Sequence, residues 1–197
     1  YSSAASDVYK RQMLMAPAAV NAAAPSVTKT SIKNEKANAT VTYNKKKQTP
    51  TTVTINGKKL VVGKDCVIVG KKKKNAGKYI LTVKGIGNYT GTRTMTFKIT
   101  QKSIADLSFT PNLEKVVYNY NGSYRTPAVS IIYKDAMNKA GATQSYTLNK
   151  GTDYTVIYED NKKVGTATVI FTGTGNFKGF HVENFTIPVS YTHLTLP

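Results

Sequence analysis

Runs of lysine are the residues in this chain whose type and spacing most clearly suggest chemistry. Their members are Lys45, Lys46, Lys47, Lys58, Lys59, Lys71, Lys72, Lys73 and Lys74. Residues 28–101 hold 17 basic residues against two acidic ones, a net charge of +15, whereas residues 102–189 hold 9 against 7. A positive field of this kind favours anionic partners such as cell-wall polymers or acidic glycans. Because residues 28–101 contain one arginine, we expect only nonspecific attraction to nucleic acid. The alternative is a solvated surface that keeps a sheet edge soluble.

Tyrosines provide a second possible binding chemistry. Four of them lie within a short stretch of the second half: Tyr118, Tyr120, Tyr124 and Tyr133. A tyrosine ring has an apolar body and a polar tip. If these rings are exposed together on one sheet face, we expect them to stack against sugar rings.

Groups able to catalyse a reaction are few. Cys66 is the single cysteine, so the chain cannot form an internal disulfide, and residues 28–101 contain no histidine to activate the thiol. We interpret Cys66 as a half-buried core residue. His181 alone cannot build a histidine-based metal site or a catalytic triad, so we expect a solvated strand position. The sequence predicts no catalytic residue, no metal and no cofactor.

Two aspartates, Asp65 and Asp153, occupy the same position before a strand in two matching segments. Calcium binds about six to eight oxygen ligands, and residues 28–101 contain only one other carboxylate, that of Glu35. We therefore predict that both aspartates cap turns. A weak ion site formed by Asp153, Glu159 and Asp160 is the open alternative.

Residues 85–91, GIGNYTG, invite comparison with a phosphate-binding loop. A dinucleotide-binding loop has its last glycine one residue earlier and opens a helix, whereas a threonine-rich strand pattern follows this segment. We predict instead a β-turn in which glycine and asparagine adopt positive φ. Tyr89, or Phe177 in the matching segment, is expected to pack beneath the turn.

The elements that must position these residues recur along the chain. Three pairs of segments lie 88 residues apart: GKDCVIV at 63 and GTDYTVI at 151, AGKYILTV at 76 and VGTATVIF at 164, and GIGNYTG at 85 and GTGNFKG at 173. Upstream, residues 43–50 and 120–127 match at an offset of 77, so the second copy carries an insertion of 11 residues. A fixed period indicates tandem modules.

Alternation of apolar and polar residues predicts strands at residues 39–43, 52–55, 59–62, 66–69, 78–84 and 93–99. The Asn56-Gly57 pair predicts a hairpin between the second and third of these strands. Tyr79, Leu81 and Val83 are expected to face the core, as are Ala167, Val169 and Phe171 in the second copy. Residues 134–141 of the insertion are predicted to form a helical turn or a hairpin extension.

These patterns predict an all-β protein with two tandem β-sandwich modules arranged end to end, residues 28–101 and 102–188. Residues 1–12 and 189–197 resemble translated sequencing-adapter read-through and are excluded from this interpretation. Residues 13–27 resemble a truncated secretory signal peptide and linker, with cleavage expected after Ala22. Secretion with a single cysteine suits a Gram-positive cell surface.

Four motifs carry a family resemblance: residues 120–122 (YNG), 151–154 (GTDY), 164–165 (VG) and 173–177 (GTGNF). In this order they resemble bacterial Ig-like surface repeats, which recur in large secreted proteins of Firmicutes and Bacteroidetes beside mucin-binding-type repeats. The resemblance covers both modules. It implies an Ig-like fold and a structural or adhesive stalk that performs no reaction.

The sequence thus predicts a non-catalytic secreted or cell-surface spacer or adhesin without a membrane span. Its basic half is expected to contact cell-wall polyanions, host glycans or mucin. The alternative is a carbohydrate-binding accessory module of a larger extracellular enzyme, with the four tyrosines as its binding face.

Overall fold

The computed structural model describes residues 28–134 and 144–189. The predictions made for residues 1–12, 13–27 and 190–197, and for nearly all of the insertion, lie outside the described residues. Every regular element within the described ranges is a β-strand. The prediction of an all-β protein is therefore confirmed.

The first half of the described chain contains eight strands. They are β1 (Thr30–Ser31), β2 (Ala37–Thr42), β3 (Thr52–Ile55), β4 (Lys58–Val61), β5 (Cys66–Val69), β6 (Gly77–Gly85), β7 (Tyr89–Thr90) and β8 (Thr92–Thr100). Six of these strands lie where the alternation predicts them, with bounds that differ by no more than two residues. The two short strands, β1 and β7, pair with each other in parallel.

The described part of the second half also contains eight strands. They are β9 (Lys102–Ser103), β10 (Phe109–Leu113), β11 (Val129–Lys134), β12 (Ser145–Thr147), β13 (Tyr154–Glu159), β14 (Gly165–Gly173), β15 (Phe177–Lys178) and β16 (Phe180–Ile187). Again two short strands, β9 and β15, pair in parallel.

One six-stranded sheet dominates the first half, in the order β4-β3-β2-β8-β6-β5. The β2–β8 pairing is parallel and the other pairings are antiparallel. The predicted hairpin joins β3 to β4, and both turn residues, Asn56 (φ 46°) and Gly57 (φ 79°), are left-handed. Two consecutive left-handed residues match the right-handed twist of the flanking strands, which explains why Asn-Gly suits this turn.

The second half contains two three-stranded sheets, β10-β11-β12 and β13-β14-β16. The Tyr154 hydroxyl of one sheet donates a 3.4 Å hydrogen bond to the Val129 carbonyl of the other. In the first half, β2 and β8 pair in parallel over five residue pairs. In the second half, the corresponding parallel pairing is a single bridge between Val117 and Thr186. The two halves therefore differ in how their sheets are joined.

Hydrogen bonds around the matching turns nevertheless agree at the offset of 88 residues. Gly63 N donates to Cys66 O and Gly151 N to Tyr154 O, both at 2.7 Å. The backbone carbonyls of Asp65 and Asp153 each accept a 2.9 Å hydrogen bond, from residues 86 and 174 respectively. The sequence similarity thus corresponds to the same local backbone arrangement in both halves.

The alternating apolar rows face inward as predicted. Leu81, Val83 and Phe97 are buried in the first half, and Ala167, Val169 and Phe171 are buried in the second. Tyr79 is half-buried against the Phe97 ring, with 6.4 Å between the ring centroids. Burying these rows supplies the hydrophobic stabilisation of each half.

An aromatic junction connects the two halves. The Tyr43 ring of the first half meets the Phe177 ring of the second edge-on, with centroids 5.4 Å apart. Phe177 also contacts Phe109 at 5.7 Å. The buried residues therefore form one continuous apolar cluster. The sequence predicts modules placed end to end but does not predict the Tyr43–Phe177 contact between them, because these residues are far apart in sequence.

Candidate polyanion-binding surface

Two of the three lysine runs lie side by side. Residues 45–47 follow β2, and residues 71–74 connect β5 to β6. A pair of backbone hydrogen bonds joins these loops: Gln48 N donates to Lys73 O at 2.7 Å, and Lys73 N donates to Gln48 O at 2.9 Å. We call residues 45–47 and 71–74 the junction loops. Their lysines lie together because the backbone bridge holds the two loops at the same end of the sheet.

The junction loops lie beside the second half. The Lys45 ammonium is 4.9 Å from the centroid of the Tyr146 ring. Close to the other loop, Ala76 N donates a 2.8 Å hydrogen bond to Asn176 Oδ1 across the junction. These contacts place the largest group of lysines where the halves meet.

The third run lies elsewhere. Lys58 and Lys59 begin β4 directly after the hairpin, at the end of β3 away from the junction loops. The four residues of β3 span about 13 Å between the two ends of that strand. The Lys58 ammonium is 5.4 Å from the Tyr89 ring centroid, and a hydrogen bond with the Tyr89 side chain raises the pKa of Lys58. The nine lysines therefore do not lie on one surface, because the hairpin places Lys58 and Lys59 at the opposite end of the sheet from the junction loops.

The lysines also differ in whether an aromatic ring holds them. Lys73 lies 5.2 Å from the Tyr79 ring centroid, in the same kind of contact as Lys45. An exposed cation–π contact contributes about 0.5–1 kcal/mol and restrains the side chain. Lys71, Lys72 and Lys74 are exposed and form no ion pair with any residue in the described ranges. Their charges are open to a ligand.

Tyr133 does not belong to any binding surface, which corrects the sequence prediction. Only 3% of the residue is exposed, and its ring stacks on Phe109 with centroids 4.6 Å apart. Tyr133 lies two residues after the buried Ile131 in β11. Side chains two residues apart in a strand lie on the same face, so both face inward. The alternation of residues along this strand could have predicted the burial of Tyr133 from the sequence, but Tyr133 was grouped with the other three tyrosines.

The other three predicted tyrosines differ in exposure. Tyr118 is half-buried, with the Phe185 ring edge-on at 5.6 Å and the Lys115 ammonium 5.3 Å from its centroid. Tyr120 is 45% exposed and Tyr124 is 68% exposed. Tyr120 and Tyr124 are therefore the two predicted rings with substantial surface available for stacking.

A shallow pocket of about 230 Å³ adjoins Tyr124. Asp160 and Lys162 line it, and the Lys162 ammonium lies 5.1 Å from the Tyr124 ring centroid. Beneath it, the buried Asn161 donates a 2.8 Å hydrogen bond to Arg125 O and accepts one of 2.7 Å from Arg125 N. This exchange anchors the loop that carries Tyr124.

The predicted turn-capping aspartates have that role. Asp65 Oδ2 accepts a 2.9 Å hydrogen bond from Val61 N, and Asp153 Oδ2 accepts one of 3.0 Å from Asn149 N. The carboxylates satisfy amides that the turn leaves unpaired. Within the described ranges, no group of three or more His, Cys, Asp or Glu residues could hold a metal ion.

Neither Cys66 nor His181 is placed as a reactive group among the described residues. Cys66 is fully buried, more than the sequence indicates, and burial raises the pKa of its thiol. A raised pKa disfavours the reactive thiolate. His181 lies in β16 with Nε2 3.0 Å from Glu183 Oε1.

The glycine-rich segments form turns, as predicted. Tyr89 N donates to Ile86 O at 3.0 Å, and Phe177 N donates to Thr174 O at 2.9 Å. Gly87 and Gly175 both have φ of 61°. The asparagines that follow them are not left-handed, contrary to the prediction. The Asn176 side chain instead crosses the junction to Ala76.

Sequence analysis missed three lysines that line a cleft at the junction: Lys78, Lys98 and Lys178. They stand singly among apolar or threonine residues, so no run marks them. Strand alternation could have found the first two, because both lie on the outward face of neighbouring strands.

Comparison with known proteins finds no matching family model, no similar curated protein and no similar solved structure. Among residues 28–134 and 144–189 there is no helix long and apolar enough to cross a bilayer. The arrangement of lysines and tyrosines is therefore what indicates a function.

Proposed function

We propose that this chain is a non-catalytic spacer and adhesion segment of a secreted or cell-surface protein. It would consist of two Ig-like β-sandwich modules, residues 28–101 and 102–188, and would contact cell-wall polyanions or host glycans. One observation carries the proposal: the paired junction loops present three exposed lysines, Lys71, Lys72 and Lys74, that form no ion pair with any described residue.

Lysine suits this kind of contact. Its ammonium is a compact charge on a flexible stem and can follow an irregular anionic polymer. Contacts of this kind are exposed, so salt screens them over about 10 Å at 0.1 M ionic strength. Binding through the junction loops is therefore expected to be broad in specificity and sensitive to salt.

The spacer role is supported by the way the halves meet. Gln101 Nε2 donates hydrogen bonds of 2.9 Å and 3.1 Å to the carbonyls of Gly175 and Phe177. Together with the Tyr43–Phe177 contact, these bonds restrict rotation between the halves. A restricted junction holds the two halves at a constant separation, which is what a stalk requires.

Binding to an array of glycans and wall polymers at about 50 mM and 500 mM salt tests the proposal. The variant K71Q/K72Q/K74Q removes three junction-loop charges, and K36Q/K64Q/K84Q removes three exposed charges elsewhere. We expect the wild type and the second variant to bind anionic polymers at low salt, and the first variant to lose most of this binding. Equal loss in both variants would contradict a role for the junction loops.

A second function is favoured by the exposed rings of Tyr120 and Tyr124. A carbohydrate-binding accessory module would use them to stack on a neutral sugar, and such binding would resist salt. The same array distinguishes the two functions: the variant Y120A/Y124A would lose salt-resistant binding to one sugar while keeping the salt-sensitive binding. Binding unchanged in that variant would exclude the tyrosine face.

A further inference from the structure

A cleft of about 360 Å³ lies between the two halves next to the junction loops, and no lysine of the three runs lines it. Lys78 of β6 and Lys98 of β8 form one wall, and Lys178 of β15 belongs to the other. We call these the cleft lysines. The site is composite, because its basic groups come from both halves.

The arrangement of the first two cleft lysines is unfavourable by itself. Lys78 and Lys98 are directly opposite each other in the antiparallel register. Opposed residues have Cα atoms about 4.5–5.5 Å apart, and like charges at such positions destabilise a sheet. Within residues 28–134 and 144–189, no carboxylate lies within ion-pair distance of any cleft lysine. An anion placed between them would relieve the repulsion.

Hydrogen bonds hold the walls of the cleft in place. The Gln101 amide, which lines the cleft, is engaged by the carbonyls of Gly175 and Phe177. Asn176 Oδ1 accepts from Ala76 N at 2.8 Å. Because these bonds cross the junction, the cleft lysines are carried by a connected framework and not by separate loops.

The lining also indicates the ligand. No aromatic residue of the described ranges lines the cleft, so these residues offer no platform for stacking a sugar or a base. The amide of Gln101 already donates to two carbonyls. The three ammonium groups are the remaining strong donors, and lysine binds phosphate-type oxyanions as a point charge. A cleft of this volume is near the lower end for small-molecule sites of about 300–1,000 Å³, which suits one or two charged sugar units.

We propose that this cleft binds the sulfate or phosphate groups of an acidic polysaccharide, held between Lys78, Lys98 and Lys178. The site goes beyond the adhesion function proposed above and does not require the junction loops to bind. A polysaccharide bound in the cleft would contact both halves of the protein at once and would therefore also stabilise the junction.

Calorimetric titration with defined oligosaccharides tests the cleft. The probes are a heparin-type sulfated tetrasaccharide, a glycerol-phosphate oligomer of a wall polymer, and neutral maltotetraose. We expect the wild type to bind one or both anionic probes, and K78Q/K98Q/K178Q to bind at least about tenfold more weakly. The control K36Q/K64Q/K84Q removes the same charge outside the cleft and should change affinity less than about threefold. Which anionic probe binds better identifies sulfate or phosphate as the source.

Amide chemical shifts locate the bound probe independently of the variants. We expect the largest shifts at residues 78, 98 and 178 when an anionic probe is added. Equal weakening in the cleft variant and the control would overturn the proposal, as would shifts confined to the junction loops. An oligonucleotide that binds the cleft as tightly as the oligosaccharides would overturn the assignment to polysaccharide. Loss in K71Q/K72Q/K74Q alone would support the junction loops and exclude the cleft.

Discussion

Asp153 shows how a single side chain supports one of the recurring turns. It is 8% exposed, and its carboxylate accepts from Asn149 N at 3.0 Å. Replacing it with alanine leaves that amide without its acceptor, which costs about 1–3 kcal/mol for a buried group. We expect Asp153→Ala to lower the free energy of unfolding by about this amount, measured by urea denaturation.

The matched control for that change is Asp153→Asn. The asparagine Oδ1 can accept the same hydrogen bond, so this variant should recover most of the stability. Asp65 is less buried than Asp153, and Asp65→Ala should therefore cost less. If Asp153→Ala unfolded at the same urea concentration as the wild type, the hydrogen bond would have no capping role.

Buried and half-buried tyrosine side chains are expected to make the free energy of unfolding fall at alkaline pH. Burial is the main cause that raises the pKa of Tyr43, Tyr154 and Tyr158. In the unfolded chain these groups ionise near pH 10, before they do in the folded protein. Their contribution to stability is therefore fully present below about pH 10 and is lost as the pH rises through the higher folded pKa.

Urea denaturation at pH 8 and pH 11 tests this expectation. The variant Tyr154→Phe keeps the ring and loses only the long hydrogen bond to Val129. We expect stability to fall between the two pH values in both proteins, and to fall less in the variant because one phenol is gone. An equal fall in both would show that Tyr154 ionises alike in the folded and unfolded states.

At the scale of elements, two glycines allow the β6–β7 and β14–β15 connections to return closely upon themselves. A Cβ atom at Gly85 would lie 2.7 Å from Thr90 N, and one at Gly173 would lie 2.7 Å from Lys178 N. Backbone atoms cannot move away as a flexible side chain can. We expect Gly85→Ala and Gly173→Ala each to destabilise the protein by at least about 2 kcal/mol, measured by thermal or urea unfolding.

Gly122 provides the control for backbone strain alone. It has φ of 77°, and a Cβ there would meet nothing within 4 Å. Gly122→Ala should therefore cost only about 1–2 kcal/mol, the usual penalty for a left-handed residue with a side chain. Losses in Gly85→Ala and Gly173→Ala no larger than this would indicate that the turns open without difficulty.

The sequence predicts those parts of the fold that depend on local pattern. Alternation with a period of two identifies the inward faces of β6 and β8, and Asn56-Gly57 identifies the hairpin between β3 and β4. These features depend only on residues close in sequence. The matching turns were also predictable, because the offset of 88 residues shows the same residue types at both positions.

Features that depend on distant residues were not predictable in the same way. The Gln48–Lys73 bridge brings two lysine runs together, but it depends on where the loops end after sheet pairing. Tyr43 and Tyr120 occupy matching positions, yet Tyr43 is 4% exposed and Tyr120 is 45% exposed. Phe177 covers only the first of them. No local pattern shows which of two equivalent tyrosines has a neighbour.

At the scale of the whole molecule, the junction determines whether the halves unfold together. The Tyr43–Phe177 contact makes the apolar cluster continuous, and hydrogen bonds from Gln101 and to Asn176 cross the same boundary. Domains coupled through such contacts unfold cooperatively when the coupling exceeds the difference between their own stabilities. We therefore expect a single urea transition, with tyrosine fluorescence and far-ultraviolet circular dichroism coinciding.

The variant Q101A/N176A removes the crossing side-chain hydrogen bonds and leaves the aromatic contact in place. The variant loses four such bonds. Each contributes about 0.5–1.5 kcal/mol, so stability should fall by about 2–6 kcal/mol. The apparent urea dependence should also become shallower, because loss of two-state behaviour lowers the fitted slope. Thr168→Val removes a 3.2 Å hydrogen bond to Asn184 within the second half alone, and it should leave the slope unchanged. If Q101A/N176A kept the wild-type slope and coincident transitions, the contacts that remain, Tyr43–Phe177 and Lys45–Tyr146, would be enough to couple the halves. The side-chain hydrogen bonds would then not be what restricts the junction.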